Sequence, residues 1–218
     1  MKGAFRLVVA AAALTAALVF ALPAVAAPGV TYCDGQLLPG KYQRVEVPPY
    51  AACFASGPIV IRYGLFVDEG ATFVLGSDEQ PPNANNGSIT GGVRGWYPAS
   101  VQIHHATIAN GINIHGGSGP FGGPFDITWN AIEDNQISGG VLIDGYNGFW
   151  FGFIRNNVSG SVTLNNNVLY DPDGNEYVTN VIRGNLNCEG NSPAPQIGDS
   201  DGLPNRVLGA KTGQCIYV

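Results

Sequence analysis

The sequence predicts an all-β fold: a single-stranded right-handed parallel β-helix (solenoid) of about seven rungs with disulfide-pinned ends. Three observations predict it. The phrase Asn-x-Ile/Val-x-Gly returns at Asn135–Gly139, Asn156–Gly160, Asn180–Gly184 and Asn205–Gly209. Apolar pairs follow the first three phrases at fixed offsets, as in Val141/Ile143 and Val162/Leu164, and the last phrase lacks one. Glycine is abundant, with 31 residues, and charged residues make up only 12% of the chain, which disfavours helices and coiled coils. A β-sandwich is the rival fold. It predicts short hairpin turns and polar/apolar alternation, not a recurring Asn column.

The chain divides into three stretches. Residues 1–26 read as a signal peptide: Lys2 and Arg6 precede an apolar run from Leu7 to Leu22, and Pro23-Ala24-Val25-Ala26 supplies small residues before Ala27. Residues 27–58 read as an N-terminal cap, with a strand-turn at Gly35–Tyr42 and an alternating Val45-Glu46-Val47 stopped by Pro48-Pro49. Residues 59–218 read as the β-helix domain.

Its rung anchors are Ile61, Ile89, Ile108, Ile137, Val158, Ile182 and Val207, 19 to 29 residues apart, a spacing that suits a coil with variable loops. Small residues two and three places after most anchors mark a sharp bend, where glycine gives backbone freedom. Residues four and six places after the anchor share one face, here the inside. The Asn two places before the anchor (Asn135, Asn156, Asn180, Asn205) is expected to adopt left-handed turns and to bond up the stack, a structural role.

Formal net charge is −6, and removal of Lys2 and Arg6 with the leader makes the remainder two units more negative. So acidic a chain lacks the clustered cations that nucleic acid or anionic membranes require. No later segment is long and apolar enough to span a bilayer. The four cysteines allow three pairings. A β-helix holds its ends far apart, which selects Cys33–Cys53 and Cys188–Cys215, each closing a loop worth about 3 kcal/mol in the chain-entropy model. Paired cysteines and a leader place the protein outside the cell, secreted or at the cell surface.

Several phrases carry a resemblance: Cys33-Asp34-Gly35 to Gly40-Lys41-Tyr42, Gly70-Ala71-Thr72, the Asn-x-Ile/Val-x-Gly rungs, and Gly209-Ala210-Lys211-Thr212-Gly213-Gln214-Cys215. Together they resemble a group of secreted actinobacterial proteins with a pectate-lyase-like right-handed β-helix. The resemblance covers most of the mature chain and implies fold and export. It implies no activity, because the group has no settled one.

Candidates for chemistry are few. Seven places after the anchors runs an outward column of Asp68, Trp96, His115, Asp144, Asn165 and Glu189, which sets His115 and Asp144 on successive rungs as a proton shuttle or one corner of a cation site. These two are the catalytic candidates, and a solvated ion pair is their plainer reading. Trp96, Trp150 and Tyr146 are the candidate sugar-binding residues, from a run that also holds Phe149, Phe151 and Phe153. Alternation puts those three phenylalanines on one face and Trp150 on the other.

Glu133 and Asp134 are adjacent and expected on opposite faces of a strand, and His104-His105 likewise. Asp126 and Asp144 could approach from neighbouring coils. Arg155, Arg183 and Arg206 read as solvated surface arginines. Asp171–Glu176 reads as a turn, and no ligand set for a metal or cofactor stands out. The expected function is a secreted, non-catalytic β-helix module that contacts polysaccharide or cell-envelope components. The alternative is a polysaccharide lyase or glycoside hydrolase, which requires three or more carboxylates, or a carboxylate pair with His115, to meet in one groove.

Overall fold

The computed structural model describes residues 29–198 and 202–218, so the predicted leader lies outside the described residues. The chain coils through three parallel sheets in turn. The first has nine strands, from Val30–Tyr32 to Lys211–Gly213. The second has seven, from Gly35–Leu37 to Asn175–Val178, and the third has eight, from Gly40–Tyr42 to Arg206–Val207. This is a parallel β-helix. All three faces begin by Tyr42, so the stretch read as an N-terminal cap supplies the first coil and most of the second.

The anchors fall in one column of the third sheet. Tyr42, Ile61, Ile89, Ile108, Ile137, Val158, Ile182 and Val207 pair in unbroken register. The first sheet stacks Leu65, Val93, Ile112, Val141, Val162 and Leu186 in the same way. The second stacks Phe73, Val101, Asn130, Phe151 and Asn175 beside Leu75, Ile103, Ile132, Phe153 and Tyr177. These inward columns form one continuous buried core. Like stacks on like because each coil repeats the same path one strand spacing away.

The predicted asparagine column is a buried hydrogen-bond ladder at the corner between the second and third sheets. Each Oδ1 accepts an amide from the coil before: Ala106 N–H to Asn135 (2.9 Å), Asn135 to Asn156 (3.1 Å), Asn156 to Asn180 (2.8 Å) and Asn180 to Asn205 (3.0 Å). Each Nδ2 donates to a carbonyl, of Ile103, Ile132, Phe153 and Tyr177 in turn. The corner's backbone groups are thereby satisfied without water. The left-handed conformation belongs to the residue before Asn135, Asn156 and Asn180, namely Asp134, Arg155 and Thr179, and to His105 before Ala106. A second ladder of Asn167, Asn191 and Gln214 serves the corner between the first and second sheets.

The glycines after the anchors answer two demands. The expected backbone freedom is used at Gly64, Gly92 and Gly111, with φ of 110°, 82° and 75°. Among Gly139, Gly160, Gly184 and Gly209, only Gly139 has a positive φ, of 108°. A Cβ at Gly160 would strike the Gly139 carbonyl, and one at Gly209 the Gly184 carbonyl. Close approach of successive coils requires glycine there. The disulfides Cys33–Cys53 and Cys188–Cys215, with Cα–Cα distances of 5.4 and 5.2 Å, tie each terminal coil to its neighbour.

Candidate functional site

Two outer faces carry clusters of chemistry-bearing side chains. On the first sheet, the predicted outward column stands in register: Trp96 beside His115, His115 beside Asp144, Asp144 beside Asn165 and Asn165 beside Glu189. Trp96 is 58% exposed and stacks on His115, with ring centroids 5.0 Å apart and 25° between planes. The Nδ1 atom of His115 lies 3.6 Å from Asp144 Oδ2, and Asp144 Oδ1 accepts a bond from Asn166. Both groups of the His115–Asp144 pair are partly exposed, so solvent weakens their interaction. This face offers the His115–Asp144 contact, the Arg44–Glu46 ion pair at 3.0 Å and one aromatic platform beside Arg94 and Phe66.

The second sheet holds a more concentrated site. Its outer face is walled by two loops: residues 76–86 on one side, and residues 116–128, with a 3₁₀ turn at Gly123–Phe125, on the other. Between them runs a trough of two adjoining parts, of about 460 and 450 Å³. Asp78, Glu133 and Trp150 line both parts, and Asp134, Arg155 and Glu176 join them in the second. Trp129 and Trp150 pair in register on adjacent strands, 5.4 Å apart. Gly152 makes room for the second of them, since a Cβ there would run into the Trp150 indole. The rings continue outward: Trp129 to Phe149 at 5.7 Å, Phe149 to Phe121 at 6.4 Å, and Phe121 to Tyr170 at 5.1 Å.

The acidic end of the trough is built by a strand that stops. Trp129–Glu133 ends at Glu133, and Asp134 turns with φ 57°. The turn overrides strand alternation, so both carboxylates meet one cation instead of taking opposite faces. Arg155 occupies the same corner one coil later, with φ 56°. Its Nε and Nη2 each donate to Asp134 at 2.8 Å, and Nη2 also donates to Glu133 Oε2 at 3.1 Å. Arg155 is therefore a paired group bridging two carboxylates, not a solvated surface arginine. His104 ends its strand one coil before Glu133 and His105 turns with φ 52°, so both are buried beneath the 76–86 loop and neither enters the core. Gln80 fixes that loop by accepting from the Ser77 and Asn86 amides while donating to Asn86 Oδ1.

Burial dominates the electrostatics. Glu133 is 5% exposed, and loss of water pushes its carboxyl up to about 7 against the opposing pull of Arg155; Asp78 and Asp134 add to the rise. His104 is 3% exposed, and burial lowers its imidazole to about 4 despite the charge of Asp78. At neutral pH the imidazole is thus uncharged, while Glu133 is near its midpoint. The guanidinium of Arg155 is held above its ordinary range, chiefly by its bonds to Asp134. His104 Nδ1 lies 3.9 Å from Glu133 Oε2, and this buried nitrogen has no hydrogen-bond partner among the described residues. Also among the described residues, no group of three or more His, Cys, Asp or Glu is arranged to hold a metal ion.

The structure separates the residues singled out from the sequence. His115, Asp144 and Trp96 come together on the first sheet, and Trp150 lines the trough on the second. Tyr146 is fully buried, and its hydroxyl donates to the Ala99 carbonyl at 3.0 Å, so it is a core residue with no surface for a ligand. Phe151 and Phe153 are core residues too, whereas Phe149 precedes its strand and turns outward into the row of rings. Asp126 caps the 3₁₀ turn, away from the first-sheet strand that carries Asp144. Asp171 closes a turn by accepting the Asp173 amide. The cluster of Glu133, His104, Arg155 and Asp78 was not assembled by sequence reasoning. A usable signal was present, because the left-handed column immediately precedes the ladder asparagines. Fold and site define a parallel β-helix bearing a ring-lined, carboxylate-rich trough. Comparisons with family models, with curated proteins and with solved structures find no match.

Proposed function

We propose that this is an exported polysaccharide-binding protein whose second-sheet trough seats a glycan chain. The reading is carried by one observation: the row of rings from Tyr170 through Phe121, Phe149 and Trp129 to Trp150, ending among polar groups. Sugars present apolar C–H faces that stack on aromatic rings, with hydroxyls that need both donors and acceptors. Gln102, Arg155 and the carboxylates beside the rings supply both kinds of group. Two disulfides suit an oxidising compartment, and among the described residues no helix is long and apolar enough to cross a membrane. The resemblance to secreted actinobacterial β-helix proteins supports export and leaves the ligand to the geometry.

A glycan array with the full mature chain tests this reading. The expected result is binding to a defined set of polysaccharides, weakened at least tenfold by Trp150→Ala. Binding to none of them, or equal binding by the variant, contradicts it.

A further inference from the structure

The row of rings makes the trough a seat for sugar, and the charge beside the rings decides which sugar it takes. The second part of the trough brings Asp78, Glu133, Asp134 and Glu176 beside the Trp150 indole, with Arg155 as the one Lys or Arg among its lining residues. That guanidinium is already engaged by the Asp134 and Glu133 carboxylates. A proton on His105, whose Nε2 lies 3.8 Å from Asp134 Oδ2, would still leave the carboxylates in excess. The Asp78 carboxylate is exposed on the 76–86 wall and makes no hydrogen bond or ion pair among the described residues. It borders both parts of the trough, as Trp150 does, so a free carboxylate and an aromatic face share one space. Carboxylates along a cleft with apolar walls concentrate a negative field inside it.

Three kinds of glycan meet this field differently. A uronate or sulfate group is driven against like charge, which selects against it. A neutral sugar stacks on the rings and bonds through its hydroxyls, and it gains nothing from carboxylates that lack a cation. An ammonium group gains twice, from charge-assisted hydrogen bonds to the carboxylates and from attraction to the indole face.

We propose that the trough selects polysaccharides with free amino groups, of the glucosamine type, with a sugar ring on Trp150 and its ammonium facing Asp78 and Asp134. The proposal rests on the glycan reading above and names the substrate class of the same site. Asp78 is the principal determinant, because Asp134 shares its charge with Arg155 while Asp78 has no partner of its own. Glu133 is only 5% exposed and acts through the field rather than by contact.

Calorimetric titration of the full mature chain compares a short glucosamine oligomer with its N-acetylated counterpart, which keeps the backbone and loses the charge. The amino form should bind at least tenfold more tightly. In about 1 M salt, where charges are screened beyond about 3 Å, that preference should vanish. Asp78→Asn, on a surface loop, should weaken binding of the amino form at least tenfold. Asp68→Asn makes the same charge change on the first-sheet face and should have no effect, which separates a seat from the general attraction of an acidic chain for a polycation. Equal affinity for the two oligomers, tighter binding of the acetylated one, or equal losses in the two variants overturns the amino-sugar assignment. So does binding of neither oligomer by a chain that binds other glycans, and in each of these cases the glycan reading stands. Absence of binding to every glycan overturns both.

Discussion

At the scale of single residues, Glu133 and His104 make opposed contributions to stability. Between about pH 4.5 and 7 the folded chain keeps a proton on Glu133 that the unfolded chain has lost. This contribution is complete at low pH and lost as pH rises through 7. His104 works in reverse: from pH 6.5 down to about 4 the unfolded chain takes up a proton that the buried imidazole refuses. Its contribution is complete above 6.5 and lost as pH falls. Over their shared window the two offset each other. Glu133→Gln removes one side of the balance, so its unfolding free energy should fall by up to about 3 kcal/mol between pH 6.5 and 4. The native chain should change far less. Denaturant midpoints across that range check this, and parallel profiles for the two proteins would refute it.

At the scale of elements, the ladders and the coil contacts decide what may change. Asn156 accepts from the Asn135 amide and side chain and donates to the Ile132 carbonyl, all in buried surroundings. Asn156→Ala orphans these groups at about 1–3 kcal/mol each, so several kcal/mol should be lost in equilibrium unfolding. Wild-type stability in this variant would show that the ladder is dispensable. Gly152→Val makes the opposite kind of change. Valine suits a strand, but its side chain would displace the Trp150 indole. Glycan affinity should drop tenfold or more while the far-ultraviolet circular dichroism spectrum stays the same. Unaltered affinity would show that the indole position does not matter.

The elements also explain what could be read from sequence. Ile137, Asn156 and Gly160 sit in columns where several successive coils make the same demand, so their repetition is visible in the chain. Asp134 and Arg155 sit in a left-handed corner whose place can be counted back from the ladder asparagines, but the residue types there do not repeat. Asp78 comes from a loop that occurs in a single coil. The trough combines such positions, and only the third dimension assembles them.

At the scale of the whole molecule, each coil touches chiefly its neighbours, and stability is shared along the stack. Among the described residues the terminal coils have one neighbour each, and the disulfides stand at those two places. Their loops span 20 and 27 residues, worth about 3 kcal/mol apiece. Reduction should therefore speed amide exchange in the first and last coils and leave Val101, Ile132 and Phe153 protected. Uniform acceleration along the chain would contradict a coil-by-coil distribution of stability.

The central claim is that a glycan sits on the Trp129–Trp150 pair. The chain has three tryptophans, so Trp96→Phe leaves only that pair to report by fluorescence. Titrating this variant with an oligosaccharide cut from a polymer that the protein binds should give a saturable change in emission, with the same dissociation constant as calorimetry. Calorimetric binding with no change in emission would place the ligand elsewhere and contradict the account.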